Sequence, residues 1–415
     1  MEMKKRIRAA AIVLLGLAAV SCTDEAEQEP GRVDPPSSPF MQIPLDGNTR
    51  SVVSNSNDFA IRLLGATYSE NNYGTDICVS PLSVFMTLSM MANGDNGATR
   101  DEILTVLAGE NEGMEISDLN SYCQLMNQYL PEVDKSTTVG IANSVWVTDG
   151  MSANKQFGDI LTEFYLAGSY SADLYSEKGK DELNNWIKDK TNGIFEKFLE
   201  NPLCVDLALV NASYFKGIWS ARFNSKDTKK SKFHCADGSE VSVDFMTATS
   251  TYNYADQDGV KAIRLPYGNG NYEMLILSPD DWSPVPEWLT SDKLENLLNS
   301  AAITNVNLKM PKFTRSSNGD ILSVLKRLGI KKASEDGFNA MLNEGYSRLS
   351  MFLHGVDIKV DEEGTEGAAV SIGGFEVTNI SKPKFADLTL DHPFVYIVRE
   401  TSTGSIIFAG TVSKF

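Results

Sequence analysis

The chain has 415 residues, 42% of them hydrophobic, and a formal net charge of −18. That length supports one large domain or two, with no internal repeat to signal an array. The acidic balance excludes a nucleic-acid-binding surface, which has to be basic, and otherwise speaks only for solubility.

Lys4, Lys5, Arg6 and Arg8 precede an apolar run over residues 9–20. That is the layout of a signal peptide, and the run is too short to cross a membrane as a helix. The small residues Ala18, Ala19, Val20 and Ser21 before Cys22 resemble a bacterial lipobox. The resemblance implies a signal peptide over 1–21 and a lipid on Cys22; an ordinary signal-peptide cut near Ser21 is the alternative. Thr23, Asp24 and Glu25 resemble the surface-export signal of some Gram-negative lipoproteins. Residues 22–50 are acidic and rich in proline and serine, so they read as a flexible tether to a domain over 51–415. The expected location is extracytoplasmic, on an outer membrane, facing the cell surface or the periplasm. Cys78, Cys123, Cys204 and Cys235 show no paired spacing and read as buried or free thiols.

Residues 57–68 have helical periodicity, with Phe59, Ile61, Leu63 and Leu64 among the apolar positions. Ser80-Pro81 suits a strand running into a helix that Ser80 caps, and Met86, Leu88, Met90 and Met91 continue it as core. The stretch Asn93-Gly94-Asp95-Asn96-Gly97 stops that helix, and Thr99-Arg100-Asp101-Glu102 opens the next as a capping box. A buried strand is expected over 138–147 and a helix over 180–192 before Gly193. A second buried strand, over 207–217, ends at Gly217, with Trp219 after it as packing. Segments 262–268 and 272–279 form a hairpin, and 306–313 precedes a helix ending at Leu328-Gly329-Ile330.

The stretch Val360-Asp361-Glu362-Glu363-Gly364-Thr365-Glu366-Gly367-Ala368-Ala369 begins about twenty residues that have a loop's composition and a buried strand's pattern. Read with period two, one face carries Thr365, Gly367, Ala369, Ser371, Gly373, Phe375 and Val377, without a charge. Glu366 and Glu376 fall on the other face, and no proline follows until Pro383. The segment can therefore become the middle strand of a sheet without burying a charge. Strands follow at 390–399 and 405–412, joined by a turn at Thr403-Gly404.

Val360 to Glu366 resembles the reactive-loop hinge of the serpin family. His392-Pro393-Phe394 and Ile407-Phe408-Ala409-Gly410 resemble its C-terminal signature, and blocks over most of 55–415 follow its pattern. The resemblance implies an α+β fold with three β-sheets, about eight to nine helices and an exposed C-terminal loop over about 362–385. It identifies 138–147 with the third strand of the main sheet. The hinge is Glu362, Gly364, Thr365, Glu366, Gly367, Ala368 and Ala369; glycine at 367 departs from the family's usual alanine. A polar network of Ser80, Ser83, Asn184 and His354 is implied beneath the sheet where strands part.

No nucleophile elbow, zinc-binding helix, redox cysteine pair or phosphate loop occurs. Of the three histidines only His354 meets candidate partners, and a satisfied buried network is the plainer reading than Ser-His catalysis. The implied function is not that of an enzyme. It is a suicide-type inhibitor of serine proteases, elastase- or subtilisin-like, and of papain-like cysteine proteases, working by cleavage and insertion of the loop. Such loop insertion is itself a standard example of strand addition and switching. Family spacing from Glu362 places the reactive bond at Thr378-Asn379, with Glu376 and Val377 before it. The partners are a target protease, held as a covalent acyl-enzyme, and a membrane through Cys22; the protein is expected to be a monomer with no cofactor or metal. The alternative is a non-inhibitory serpin acting as a binding or adhesion protein.

Overall fold

The structure, a computed structural model, describes residues 38–70, 76–110, 113–282, 285–343, 345, 347–365 and 384–415. The signal peptide, Cys22, residues 23–37 of the expected tether, and 366–383 lie outside them. With 366–383 go Glu366, Gly367, Ala368, Ala369, Glu376, Val377, Thr378 and Asn379.

The chain opens with α1 (Gly47–Glu70), β1 (Cys78–Val79), α2 (Pro81–Ala92), α3 (Ala98–Ala108) and α4 (Ile116–Tyr129). Every residue of α2 is buried, as its nearly unbroken apolar sequence demands of a central helix. Then come β2 (Thr138–Val147), α5 (Lys155–Tyr165), β3 (Gly168–Ser171), α6 (Glu177–Lys190) and β4 (Leu207–Ile218). The middle of the chain is β5 (Lys229–His234), β6 (Glu240–Gln257), β7 (Val260–Tyr267), β8 (Tyr272–Pro279), α7 (Val285–Trp288), α8 (Ser291–Ser300) and β9 (Ala302–Pro311). The last part holds β10 (Phe313–Asp320), α9 (Leu322–Leu328), α10 (Lys332–Glu335), β11 (Leu353–Val360), β12 (Gly364–Thr365), β13 (Phe385–Thr389), β14 (Phe394–Glu400) and β15 (Ile406–Val412). Ten α-helices are thus present among the described residues, two of them, α7 and α10, only four residues long.

The strands form two hydrogen-bonded networks where three sheets were expected. One has six strands in the order β10-β11-β12-β4-β2-β3. The other has nine strands, because the 18-residue β6 pairs with β5, β9 and β7 along its length and so joins two sheets into one. The two flanks of 366–383 belong to different networks: β12 lies in the six-stranded sheet and β13 pairs with β9 in the nine-stranded one. The main core fills the space between them around α2, from Phe85 and Leu88 to Met274, Val356 and Phe408.

Several local expectations are corrected. Counted from β3, the strand Thr138–Val147 is second in its sheet and Leu207–Ile218 third. Thr99 and Glu102 form no capping box. Thr99 Oγ1 donates to Gly337 O, and Glu102 Oε1 accepts from the Lys331 and Lys332 amides at the start of α10. Ser80 occupies the N-cap of α2 but its hydroxyl makes no capping bond. The folded unit also starts before residue 51. Helix α1 begins at Gly47, and Ile43, 1% exposed, is part of the core. The segment before α1 reads as a tether because it is held through backbone bonds to Asn271 and Ser402, which leave no periodicity.

Candidate functional site

The site lies where β11 leaves the six-stranded sheet and the chain turns back as β12. Thr365 pairs with Val360 on β11 and with Gly217 on β4, so the hinge is already seated as a two-residue strand between them. Gly364 has φ 151°, and a Cβ there would stand 2.1 Å from Gly217 O, so the turn requires glycine. The Thr365 side chain is 1% exposed, and its hydroxyl is hydrogen-bonded at 2.7 Å to that of Tyr267. Tyr267 stacks on Trp219 with centroids 4.4 Å apart. Trp219 is packing, as expected, and also a clamp: its indole N–H donates to Asp361 O at 2.9 Å and its amide to Glu363 O at 2.9 Å.

The acidic run before the hinge is neutralised one residue at a time. Asp361 meets Lys359 at 3.3 Å, Glu362 meets Lys312 at 2.6 Å and Glu363 meets Arg222 at 3.0 Å. Thr228 Oγ1 also donates to Glu362. Burial pushes the Glu362 carboxyl up, but the bonds from Lys312 and Thr228 outweigh it and leave it below its ordinary value. Of the expected hinge, Glu362, Gly364 and Thr365 are therefore placed and anchored.

Below Thr365, no strand pairing joins β4 to β11 among the described residues. The seam opens into a cleft of about 860 Å³, lined by Leu207, Leu209 and Asn211 of β4, by Phe352 and His354, and by Ser83 of α2. The polar network is here. Ser80 and Ser83 share a bond of 2.8 Å, and Ser83 bonds Ser213 of β4 at 2.5 Å. The Ser80 amide donates to His354 Nε2 at 3.0 Å, so Nδ1 carries the ring proton. The Ser80 hydroxyl goes to Ile407 O, not to the imidazole, so the geometry holds no Ser-His nucleophile pair. Burial lowers the His354 pKa from 6.5 to about 4.

Asn184 is not in this network. Its side chain accepts from the Phe198 and Leu199 amides and donates to Leu199 O, holding the segment between α6 and β4. Ser213, missed from the sequence, takes its place, and Asn211, also missed, lines the same cleft. Asn211 Nδ2 donates to Asn143 Oδ1 at 2.7 Å, while Asn211 Oδ1 is buried without a partner. The signal was available: residues 211, 213 and 215 share one face of a strand read as buried, and two of them are polar. Cys78, Cys123 and Cys235 are buried and Cys204 exposed, all as free thiols. No group of metal-ligating side chains occurs among the described residues.

The family profile described as Serpin (serine protease inhibitor) matches residues 54–415. Serpin-ZXA of Oryza sativa subsp. japonica is 31% identical over 396 residues, covering 89% of this chain and 98% of its own. Tengpin, a thermophilic serpin solved in its native state, superposes with a TM-score of 0.78 at 27% identity, covering 91% of this chain and 97% of its own. AtSerpin1 of Arabidopsis, in its native stressed conformation, superposes with a TM-score of 0.75 at 28% identity, covering 89% and 99%.

Proposed function

The chain belongs to the serpin family, whose members are in general protease inhibitors and not enzymes, and from that premise we propose that it is a suicide-type inhibitor whose cleaved loop becomes a strand of the six-stranded sheet. The observation that supports this is the seated Thr365 above an unpaired seam. Continuing its two registers sets Gly367 between Phe215 and Ile358, Ala369 between Ser213 and Val356, and Ser371 between Asn211 and His354. These are the uncharged positions of the loop, and they meet buried positions of the strands, apart from the half-buried Asn211. Along β4 the register ends with Phe375 opposite Leu207, three residues before Thr378. Thr378, with the protease acylated on it, thereby ends about 43 Å along the sheet from Thr365. The strand gained contributes on the order of 10 kcal/mol in hydrogen bonds, so the open seam is a metastable state held by kinetics.

The proposed reactive bond is Thr378-Asn379. Val377 and Thr378, small and β-branched, suit elastase- or subtilisin-like serine proteases, and valine at 377 suits papain-like cysteine proteases. We further propose a bacterial lipoprotein, cleaved before Cys22, lipidated on it and held monomeric on an outer membrane. The test is incubation with elastase-, subtilisin-, papain- and trypsin-like proteases, run on denaturing gels with mass spectrometry of the fragments. A covalent complex with a cut within one or two residues of Thr378 is expected. Clean cleavage without complex would instead support the non-inhibitory binding or adhesion reading.

A further inference from the structure

We infer that the end of the molecule where Thr365 is seated is the end nearest the membrane, and that insertion carries a trapped protease to the far end; the inference rests on the lipoprotein and insertion readings above. The first described residues decide which end the anchor reaches. Ser38 Oγ accepts from the Lys135 amide at 3.3 Å and from Asn269 Nδ2 at 3.2 Å. Asn269 Nδ2 also donates to Pro39 O at 3.1 Å. Met41 and Asn271 exchange two bonds, N to Oδ1 at 2.8 Å and Nδ2 to O at 2.6 Å. Asn269 and Asn271 stand in the turn between β7 and β8. That turn follows Tyr267 directly, and the Tyr267 hydroxyl is bonded to that of Thr365, where residues 366–383 begin. The segment that leads from the anchor and the start of the loop therefore share one end of the molecule.

Cys22 lies 16 residues before Ser38. Fully extended, that stretch spans at most about 55 Å, so a lipid on Cys22 keeps Ser38 within that distance of the bilayer. A second feature points the same way. Phe40 is 52% exposed and Met41 39%, although both are large and apolar. Two such side chains, side by side where the anchor segment joins the body, suit the boundary between headgroups and acyl chains. A lipid anchor holds firmly when a second contact of this kind supports it. The other end of the sheet is remote from all of this. Cys204, three residues before β4, marks it, and the insertion register brings Thr378 there, about 43 Å from Thr365. A protease is thus met at the membrane-proximal end and held, once trapped, at the end that faces away from the membrane.

The experiment measures energy transfer from a dye on the protein to labelled lipid, with the full lipid-bearing chain in vesicles of phosphatidylethanolamine and phosphatidylglycerol. In one protein the donor dye is on Cys204, which is exposed while Cys78, Cys123 and Cys235 are buried. In a second it is on Lys135→Cys, beside Ser38, in a Cys204→Ser background. Transfer at least threefold stronger from position 135 than from position 204 is expected. Phe40→Ser combined with Met41→Ser keeps the backbone bonds and should narrow that difference. Equal transfer from the two positions, or stronger transfer from Cys204, would overturn the orientation. An unchanged ratio in the double variant would overturn the contact through Phe40 and Met41, as would labelled chains that transfer to one another and so pair through those residues. In a third arm the dye is on a trapped elastase-like protease, and transfer weaker than from position 135 is expected. Transfer as strong as from position 135 would overturn the direction of travel. A protease that forms no complex would overturn the inhibitor reading and leave the orientation standing, whereas a mature chain without lipid on Cys22 by mass spectrometry would overturn the lipoprotein reading itself.

Discussion

His354 is the residue whose chemistry is most dependent on its surroundings. Its folded pKa of about 4 lies below the unfolded value, so the native state favours the neutral ring. That stability is fully present above about pH 6.5 and is lost as pH falls toward 4, by on the order of 3 kcal/mol. Melting temperature measured from pH 7.5 to 4.5 should therefore fall more steeply in the wild type than in His354→Gln. Ser371 is the complementary case. Asn211 Oδ1 has no partner and His354 Nε2 is taken by the Ser80 amide, which leaves the ring's Nδ1–H to face the seam. A hydroxyl set between them can donate to one and accept from the other. Ser371→Ala should leave the melting temperature of the uncleaved protein unchanged and lower that of the cleaved form by several degrees. At this scale the sequence was legible for Ser80, Ser83 and His354 and misleading for Asn184. An asparagine on a helix and one on a strand look alike until the fold decides which faces the seam.

Among elements, β12 matters most for being so short. Two residues pair with both neighbours, and the strand can grow only if the next inward-facing side chains are small. Thr365→Arg would place a guanidinium in a position 1% exposed, against Tyr267. The variant should lose covalent complex by at least tenfold on gels while its loop is still cut, turning an inhibitor into a substrate. The period-two pattern made the loop readable as a latent strand, because both of its possible environments reward the same alternation. The capping box failed for the opposite reason. Thr99 and Glu102 satisfy that motif locally, but Gly337 and the start of α10 offer them partners more than 200 residues away. The segment before α1 was illegible as part of the fold because its fastening sits in the side chains of Asn269, Asn271 and Ser402, far along the chain.

For the whole molecule, the open seam sets the thermodynamics. Closing it with a strand worth on the order of 10 kcal/mol should raise the melting temperature by about 20 °C after the loop is cut, as read by calorimetry of intact and cleaved protein. An unchanged melting temperature would mean that the loop stays out. The proposed membrane attachment is separable from all this. Cys22→Ala should move the protein from the membrane to the soluble fraction without changing its rate of complex formation.

The separate homes of β12 and β13 carry one more consequence. A cut at Thr378-Asn379 divides the chain into pieces whose ends belong to different hydrogen-bonded networks. The C-terminal piece keeps β13, β14 and β15, and the last two are buried strands paired on both sides in the nine-stranded network. It cannot diffuse away, although no covalent bond retains it. By size-exclusion chromatography a molecule cut without trapping a protease is therefore indistinguishable in mass from a fresh one. Its history is recorded in connectivity alone, and only denaturation releases the short peptide that reveals it.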